Sequence, residues 1–516
     1  MLDFTLNKDD YRDRVLGCWL GKNIGGTLGA PFEWRRQVND VSFYTQDLGG
    51  QSLPNDDLDI QLLWLVALEE KGIHLDAHTL AEYWCLYVTP HWAEYGTAKT
   101  NMRSGLPPPL SGSFRNGFKH SCGAFIRSEI WACIAPGLPD VAARYAYEDA
   151  ILDHGDGEGT YAEVFCAALE SAAFVIPDLR QLIEIGLSYI PEDCAVAGAT
   201  RCAVECFDKG LDWREARDVI LRVWRGSAFF NADWAISRED KEKGFAEGRL
   251  GFDAPSNIAL TVLGLLHGGE DFGQIVCTAV NCGEDTDCTA ATAGAIFGLI
   301  HGAKGIPEAW ITPIGRGIKV GSLNLGELGY YGDQLPQTVD ELTDRTERIA
   351  RQVTAQGRWS RVVLSDSAPT DLSGLGADGL RSSNSGADLF GSPHGPTYRF
   401  DWFRVGVDYG DAPAVRSGEP KTVRLTLHND YKVQANISVH WDVPPGWQVA
   451  PSADGVVQSL PPHLAGGRPV TMEFTLHPGP LARSMNRATV ELTIEGRPTV
   501  MLVPITLLNG DLMPAA

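Results

Sequence analysis

The chain has 516 residues, of which 44% are hydrophobic and 21% are charged, and its formal net charge is -23 at pH 7. This length exceeds what one hydrophobic core can fill, so two or three domains are expected. The negative charge argues against binding to nucleic acid or to an acidic membrane surface, because both require clusters of Lys and Arg.

The first residues and the cysteines together favour a cytoplasmic protein. Charged residues such as Asp9, Arg12 and Asp13 stand where a secretory signal would need an apolar run. The cysteines number 11 and are scattered, without a C-x-x-C pair or a zinc-type pairing with histidine. Free thiols in a reducing compartment are the simplest interpretation. The longest apolar stretch, residues 289–303, is too short to span a bilayer.

Glycines recur every four residues in two segments of the chain. A glycine inside a helix costs about 1 kcal/mol relative to alanine, so a stripe of glycines needs a compensating interaction. Either two helices contact each other closely along the stripes, or the backbone approaches a ligand, above all near Gly25 and Gly26. The first stripe is Gly17, Gly21, Gly25 and Gly29, and the second is Gly294, Gly298 and Gly302.

An acidic cluster, Asn55-Asp56-Asp57-Leu58-Asp59, opens an apolar helix predicted over residues 58–72. Apolar residues cover nearly every side of this helix, which is typical of a buried helix, and Gly72 suits its C-cap. One aspartate is enough to cap a helix N-terminus, and three exceed that need. Simple capping is therefore the alternative to a functional role for these acids.

Amphipathic helices are predicted further along the chain. Three of them begin with aspartate, the residue type that N-caps prefer. Their predicted ranges are 160–175, 178–189, 193–209 and 212–225, and a last helix is predicted over 337–356.

A second acidic cluster, Glu284-Asp285-Thr286-Asp287, opens another helix about 225 residues after the first. Two unit charges about 4 Å apart repel by roughly 4 kcal/mol at an effective dielectric constant near 20. If the fold brings the two clusters together, a cation must lie between them. Carboxylate oxygens are hard ligands, which select Mg²⁺ or Ca²⁺ over zinc or copper.

The last part of the chain has a different pattern. Residues 357–395 are rich in Ser, Gly, Asp and Pro and are predicted to be a flexible or loosely docked linker. Residues 396–516 contain alternating runs rich in β-branched residues, such as 423–427 and 488–494. About seven strands in this segment predict an immunoglobulin-like sandwich. Packing or dimerisation is its simplest role, which leaves a homo-oligomer open, and carbohydrate binding is the weaker option.

Three segments resemble the ADP-ribosylglycohydrolase family, which includes the enzyme that reactivates dinitrogenase reductase. The first is the glycine stripe that continues through Gly25-Gly26-Thr27-Leu28-Gly29-Ala30-Pro31-Phe32-Glu33. The second is the triplet Asn55-Asp56-Asp57, and the third is Asn281-Cys282-Gly283-Glu284-Asp285-Thr286-Asp287-Cys288. Two weaker matches are Gly123-Ala124-Phe125-Ile126-Arg127 and His154. The resemblance covers residues 10–355 and leaves out the β module.

The resemblance implies an all-α catalytic domain over residues 1–356, with one or two Mg²⁺ ions in a cleft and Ca²⁺ as an alternative. In the family the metals hold the hydroxyls of a ribofuranose, and hydrolysis occurs at its anomeric carbon. Carried over by position, the metal ligands would be Asn55, Asp56, Asp57, Asp285 and Asp287. Catalytic roles would fall to Glu33, Asp56 and Asp57, and substrate contacts to Gly123, His154 and Asn281.

Some of these residues have simpler interpretations. Glu33 could be a surface acid that follows Pro31. His154 could be a core or loop histidine whose hydrogen bonds are satisfied within the protein. Arg127 could bind a phosphate or carboxylate, or equally form a structural ion pair.

Three residues depart from the pattern of the family. Asn55 and Cys288 stand where the family has hydroxyl residues beside its two aspartate motifs, and Gly26 stands where the family usually has Asp. The Asn55 carbonyl oxygen can still bind a hard cation, whereas cysteine is a poor ligand for Mg²⁺. One metal position is therefore expected to be weakened, absent or adapted to Ca²⁺.

Three functions follow as hypotheses. The first is a metal-dependent glycoside hydrolase that acts on an ADP-ribosyl furanoside. The second keeps the chemistry but acts on a small sugar, nucleoside or oligosaccharide, a version that the appended sandwich and the altered ligands favour. The third is a non-catalytic sugar-binding or structural member. The four aspartates argue against the third, because a structural protein need not keep buried acids.

Overall fold

A computed structural model describes residues 3–225, 251–328, 332–356, 361–390, 395–431, 433–464, 467–481, 483–498 and 500–513. The chain divides into two compact units. The helical unit comprises Met1–Lys99 and Arg115–Phe390, and the β unit comprises Thr100–Phe114 and Gly391–Ala516. The predicted fold class, an all-α domain followed by an all-β sandwich, is confirmed.

The described residues contain seventeen helices. They are α1 Lys8–Gly29, α2 Asp56–Lys71, α3 Ala77–Tyr87, α4 Ala93–Arg103, α5 Leu110–Ser113, α6 Glu129–Ile134, α7 Pro139–Ala150, α8 Glu158–Ala173, α9 Leu179–Leu187, α10 Ala195–Asp208, α11 Trp213–Trp224, α12 Ala254–Gly268, α13 Phe272–Asn281, α14 Thr286–His301, α15 Glu308–Ile311, α16 Val339–Ala355 and α17 Ala387–Phe390. Within the same ranges, no helix is long and apolar enough to cross a membrane.

The strands of the described residues number twelve. They are β1 Asp3–Asn7, β2 Arg361–Ser365, β3 Thr397–Arg399, β4 Phe403–Asp408, β5 Ala414–Val415, β6 Lys421–Asn429, β7 Ala435–Asp442, β8 Gln448–Ala450, β9 Asp454–Ser459, β10 Val470–His477, β11 Met485–Ile494 and β12 Val500–Asn509.

Helices α1 and α14 contact each other along the two glycine stripes. A Cβ atom on Gly21 would lie 2.0 Å from the carbonyl oxygen of Gly294, and one on Gly25 would lie 2.1 Å from that of Ala290. The backbones of the two helices therefore touch, which explains why small residues repeat every four positions. This contact also brings the end of α1 next to the start of α14.

Replacing Gly21 by alanine is expected to destabilise the helical unit. The new methyl group would meet the backbone of Gly294, which cannot move aside as a side chain could, so the cost should be about 1–3 kcal/mol or more. Urea unfolding followed by the helical circular dichroism signal measures this change. Gly376→Ala is the control, because nothing lies within 4 Å of its Cβ position. An equal midpoint for both variants would contradict the contact.

The helix ends agree with the predicted ranges to within a few residues. Asp178 and Asp212 cap α9 and α11 as predicted. The third helix differs, because α10 is capped by the thiol of Cys194 and not by Asp193. Gly72 ends α2 with a positive φ of 84°, in agreement with its predicted role.

Residues 361–390, which the sequence assigns to a linker, are built into the helical unit. Strand β2 pairs in parallel with β1, and the backbones of Thr5 and Asp371 exchange two hydrogen bonds. The Tyr189 hydroxyl donates a hydrogen bond to the carbonyl of Leu380. Backbone hydrogen bonds, side-chain hydrogen bonds and a few buried apolar residues such as Val362 and Leu380 attach this segment. A polar composition therefore did not mean a free connector here.

The β unit is a sandwich of two five-stranded sheets. One sheet has the order β3-β4-β6-β10-β8 and the other β5-β12-β11-β7-β9. Burial alternates strictly along β7, so one face of each such strand fills the core between the sheets. The ten strands exceed the predicted seven, because β3, β5 and β8 are only two or three residues long.

Residues 100–114 belong to the β unit, although the sequence places them in the helical domain. Leu106 and Leu110 are buried in the core of the sandwich, and Phe114 packs against it. The division between the units therefore differs from the predicted boundaries at residues 356 and 395, because a short segment of the helical region completes the core of the sandwich.

Candidate metal centre

The first acidic cluster forms the start of α2. Asn55 is the N-cap, and its side-chain oxygen accepts a hydrogen bond from the backbone N–H of Asp57 at 2.9 Å. Capping is thus done by Asn55 and not by the aspartates. Asp59 accepts hydrogen bonds from the backbone N–H groups of Gly321 and Ser322, both at 2.7 Å. Asp56 and Asp57 remain as the acids whose presence the helix does not explain.

The second acidic cluster forms the start of α14. Gly283 and Glu284 both adopt positive φ, 71° and 66°, which turns the chain sharply before the helix. The Asp285 N–H donates to the Asn257 side chain at 3.1 Å, and the Thr286 hydroxyl donates to the Gly29 carbonyl at 2.8 Å. Asp285 stands at the N-cap without a side-chain capping bond, so its carboxylate is also left for another role.

The two clusters meet in space. One potential ligand atom each from Asp57, Asp287 and Cys288 lie within 4.8 Å of one another, and so do those from Glu33, Asp285 and Asp287. Asp287 therefore belongs to two adjacent groups of three. Because these groups join residues from α2, α14 and the segment after α1, the fold brings together parts of the chain that are far apart in sequence.

Several oxygens at this point are buried without hydrogen bonds. Oδ1 of Asp285 and Oδ1 of Asp287 have no partner in the part of the chain that the structure describes. These two residues are only 3% and 5% exposed. A buried carboxylate without a partner is costly, and a bound cation or an ordered water would supply the missing contact.

A buried lysine, Lys22 of α1, lies beneath the cluster. Its ammonium nitrogen is 3.5 Å from Oδ2 of Asp57 and 2.7 Å from Oε1 of Glu129. Lys22 thus supplies one positive charge, and its shorter contact is with Glu129. No sequence motif marks this residue, since it is a single lysine among the glycines of α1.

The pKa values reflect this crowding of acids. Burial raises the pKa of Asp57 well above its usual range, and the Lys22 ammonium opposes this rise. Burial and then neighbouring carboxylates raise the pKa of Asp285 and of Asp287 well above the usual range. Asp56 is also raised by burial, against a 3.1 Å hydrogen bond that it accepts from the Tyr95 hydroxyl. Such a concentration of perturbed acids is typical of a functional site.

Glu33 stands where the cluster meets solvent. The residue is exposed, yet a carboxylate oxygen lies within 4.8 Å of those of Asp285 and Asp287. Next to it, Trp34 has a φ of 60° and a ring that is 39% exposed and 5.6 Å from the ring of Phe252. An exposed aromatic ring beside an acidic cluster is suited to packing against a sugar or a planar base.

The residues predicted to contact substrate have partners within the protein. His154 is fully buried, with Nε2 3.0 Å from the Ser121 hydroxyl and Nδ1 2.7 Å from Asp153. The Asn281 side chain exchanges two hydrogen bonds with the backbone of Val41, at 2.6 and 2.9 Å. These two residues therefore shape the surroundings of the cluster. Arg127 likewise forms a buried structural ion pair with Asp149 and Asp153.

Gly123 lies against a buried acid, Glu94, that no sequence pattern indicates. A Cβ atom on Gly123 would lie 2.2 Å from Oε1 of Glu94. Glu94 is buried, and its Oε2 makes no hydrogen bond within the described ranges. Burial raises the pKa of Glu94 to about 7, with His154 acting in the opposite direction and Asp153 adding to the rise. No sequence signal marks Glu94, because it is one acid at the start of an ordinary helix.

Two of the departures from the family pattern are physically linked. A Cβ atom on Gly26 would lie 2.3 Å from Nδ2 of Asn55, so the Asn55 amide fills the space beside Gly26. Since the Asn55 oxygen also caps α2, this side chain fixes the first turn that carries Asp57. The third departure, Cys288, points its thiol at Oδ1 of Asp57 at 3.5 Å.

Comparisons with known proteins give a family match, one relative and one solved structure. The sequence model of the ADP-ribosylglycohydrolase family matches residues 7–352. An uncharacterized protein of Archaeoglobus fulgidus is 24% identical over 318 residues, which cover 58% of this chain and 90% of that protein. Among solved structures, a FixG-related protein from Vibrio parahaemolyticus covers 22% of this chain and 99% of its own, with a TM-score of 0.17 and 12% identity.

The family match spans well over half of the chain and includes both acidic clusters, Glu33, Lys22 and Glu94. The chain belongs to the ADP-ribosylglycohydrolase family.

Proposed function

We propose that this protein is a metal-dependent glycoside hydrolase that cleaves a furanosyl bond, with an ADP-ribosyl group as its substrate. Membership of the family supports a glycohydrolase type of activity. Metal dependence and the furanosyl bond are supported by one observation. Asp57, Asp285 and Asp287 lie in one buried cluster, and some of their oxygens have no hydrogen-bond partner among the described residues. Such a cluster is suited to a divalent cation, and a cation is suited to the vicinal hydroxyls of a ribose.

The residues of the cluster fit a hard cation. Glu33, Asp285 and Asp287 offer oxygen atoms only, within 4.8 Å of one another. Mg²⁺ is the first choice at this position, with Ca²⁺ as the alternative. Burial raises the pKa of Glu33 and the charge of Asp56 raises it further, so Asp56 adds to the negative field that a cation would meet here. When bound, a divalent ion would polarise a substrate oxygen and orient the sugar.

The protein's own groups would supply the proton transfer. Glycosidic cleavage passes through an oxocarbenium-like transition state that carboxylates usually manage. Glu94 is buried and has one free oxygen, and its pKa lies near neutrality, which suits a group that takes a proton from water at pH 7. The Ser121 hydroxyl lies between Glu94 and His154, and Asp153 holds the other nitrogen of His154. This chain of hydrogen bonds would fix the orientation of Glu94.

An alternative substrate is a furanoside without ADP-ribose. The observation that favours it is the altered cluster, in which Asn55, Gly26 and Cys288 replace the usual residues of the family. These residues lie beside the aspartates, where they would change the shape that the sugar meets. Exposed Trp34 would suit the face of either a sugar or a base.

A side-by-side assay tests the proposal. The metal-stripped protein is given Mg²⁺ or Ca²⁺ and then ADP-ribosyl-arginine, ADP-ribosyl-serine or nitrophenyl furanosides. We expect release of ADP-ribose with the metal and none with EDTA. Turnover of the nitrophenyl furanosides alone would favour the alternative substrate. No turnover together with no metal-dependent shift in melting temperature would favour a non-catalytic, sugar-binding or structural protein.

A further inference from the structure

The metal centre contains a sulfur atom among its carboxylates. Cys288 is 6% exposed, and its Sγ belongs to the group of three with Asp57 and Asp287. It follows Asp287 directly in the first turn of α14, so both side chains start from the same end of this helix. The other group, formed by Glu33, Asp285 and Asp287, offers oxygen only.

Neighbouring contacts orient Asp57 toward the sulfur. Its Oδ2 faces the Lys22 ammonium at 3.5 Å, and its Oδ1 faces Sγ of Cys288, also at 3.5 Å. Asp287, the third member, keeps a buried Oδ1 without a hydrogen bond within the ranges that the structure covers. This unpaired oxygen is independent of the cysteine, and it too indicates that a cation is held between these side chains.

The spacing of sulfur and oxygen matches a tetrahedral metal ion. With Zn–S of about 2.3 Å and Zn–O of about 2.0 Å, two ligand atoms at the tetrahedral angle lie about 3.5 Å apart. Sγ of Cys288 and Oδ1 of Asp57 lie at this distance in a hydrogen bond that the thiol donates to the carboxylate, and a metal ion bound to both atoms would take the place of the thiol proton. Three protein ligands also leave a fourth position for water or substrate, which is the arrangement of catalytic rather than structural zinc.

The two groups of three differ in the atoms that they offer to a metal ion, because only one of them includes sulfur. Thiolate ligands select zinc and other thiophilic ions, whereas Mg²⁺ and Ca²⁺ prefer oxygen. We infer that Cys288 is a metal ligand, and that the position formed by Asp57, Asp287 and Cys288 takes a thiophilic divalent ion of the zinc class. The all-oxygen position keeps the hard cation, and Asp287 bridges the two. This inference rests on the proposed function only in taking the cluster to be a metal centre.

Cadmium is the probe for the sulfur ligand. The full-length protein is stripped with EDTA and titrated with Cd²⁺, whose bond to a thiolate absorbs in the ultraviolet. A Cys202→Ser background removes an unrelated pair, because Cys202 and Cys206 are hydrogen-bonded to each other on α10. We expect one saturable charge-transfer band per chain, displaced by Zn²⁺ and unaffected by an excess of Mg²⁺.

Cys288→Ser is the decisive variant and Cys122→Ser its matched control. Serine keeps the size of the side chain and offers oxygen in place of sulfur, so the band should disappear and the affinity for Zn²⁺ should fall by at least tenfold. Cys122 is 2% exposed and hydrogen-bonds to Asp285, but it belongs to neither group of three. Its variant should keep the band.

Three results would overturn the inference. They are a band that survives in Cys288→Ser, a band that disappears in Cys122→Ser instead, and a parent protein that shows no band. If Cys288→Ser does not fold, X-ray absorption of the zinc-loaded parent protein decides, since the inference requires one sulfur at about 2.3 Å from the metal.

The same measurements separate this inference from the proposed function. A thiolate band without hydrolysis of any glycoside would leave the sulfur ligand in place and remove the enzymatic proposal. Hydrolysis that depends on Mg²⁺, without any thiolate band, would support the enzyme and remove the sulfur ligand.

Discussion

Replacing Asp287 by alanine is expected to abolish both the metal response and the turnover of this protein. Asp287 belongs to both groups of potential ligands, so its loss would affect both proposed metal positions at once. A single group that stabilises charge in a transition state is worth about 3–4 kcal/mol, which corresponds to about a thousandfold in rate. The loss should reach at least this size, since Asp287 serves two positions.

The metal response is measured by the melting temperature with EDTA and with added cation. A ligand at about one hundred times its dissociation constant stabilises the native state by about 2.7 kcal/mol. The parent protein should show this shift and Asp287→Ala should not. Without metal, the shape-preserving Asp287→Asn should be at least as stable as the parent protein, because it removes a buried charge that other carboxylates repel.

Asp59→Asn is the matched control for this experiment. Asp59 lies two residues after Asp57 in the same helical turn, but it accepts hydrogen bonds from Gly321 and Ser322. Its variant should lose some stability and keep both the metal shift and the turnover. Turnover that persists in Asp287→Ala, or a metal shift that is lost equally in Asp59→Asn, would contradict the assignment.

The meeting of the two clusters could be predicted from the sequence because each cluster has more acids than its helix end needs. The extra acids need a cation to balance their charge. If both clusters bind the same cation, they must lie close to each other in the fold. The glycine stripes predict only a close helix contact or the approach of a ligand, and the structure shows that the contact between α1 and α14 places Gly29 against Thr286 of the second cluster. Pattern and electrostatics thus predicted the location of the centre.

The residues that complete the centre could not be predicted in this way. Lys22 and Glu94 are single charged residues on ordinary helices, and their importance comes from what lies beside them in space. Asn55 is predicted as a metal ligand by its position, and the structure adds a role that the pattern did not indicate, because its oxygen caps α2. His154 lies near the site by sequence position, but burial and two hydrogen bonds occupy its ring.

In the β unit, the long strands could be predicted from the sequence and the shortest strands could not. Alternation predicted its longer strands, because one face of each is buried. Strands of two or three residues are too short to show a period, so β5 and β8 were missed. The insertion of residues 100–114 was also missed, since Leu106 and Leu110 would suit the core of either unit.

Replacing Glu94 by glutamine is expected to abolish most of the activity and yet to stabilise the protein at alkaline pH. Glutamine keeps the shape of the side chain and still accepts a hydrogen bond from Ser121, but it cannot take a proton from water. Loss of a general base costs about 10²–10⁴-fold in rate. In the parent protein, kcat/KM should rise with pH, reach half its maximum near pH 7, where Glu94 is half ionised, and level off about one pH unit higher.

The effect on stability follows from the pKa of the same carboxyl. Folding raises it from 4.5 to about 7, so the folded state holds the proton more tightly than the unfolded state. Ionised Glu94 therefore lowers stability increasingly as pH rises from about 4.5 to about 7, by about 3 kcal/mol in all. Glu94→Gln should match the parent protein near pH 5 and exceed its free energy of unfolding at pH 8.

The control for this prediction is Glu158→Gln. Glu158 accepts hydrogen bonds from the backbone N–H groups of Ala195 and Val196 and lies at the start of α8, so its variant should lose stability and keep its turnover. Urea unfolding at pH 5 and pH 8 gives the stabilities, and steady-state rates at the same pH values give the activity. Full turnover in Glu94→Gln would exclude the proton-transfer role. If the difference in stability between the variant and the parent protein is the same at both pH values, the pKa of Glu94 is not raised by folding.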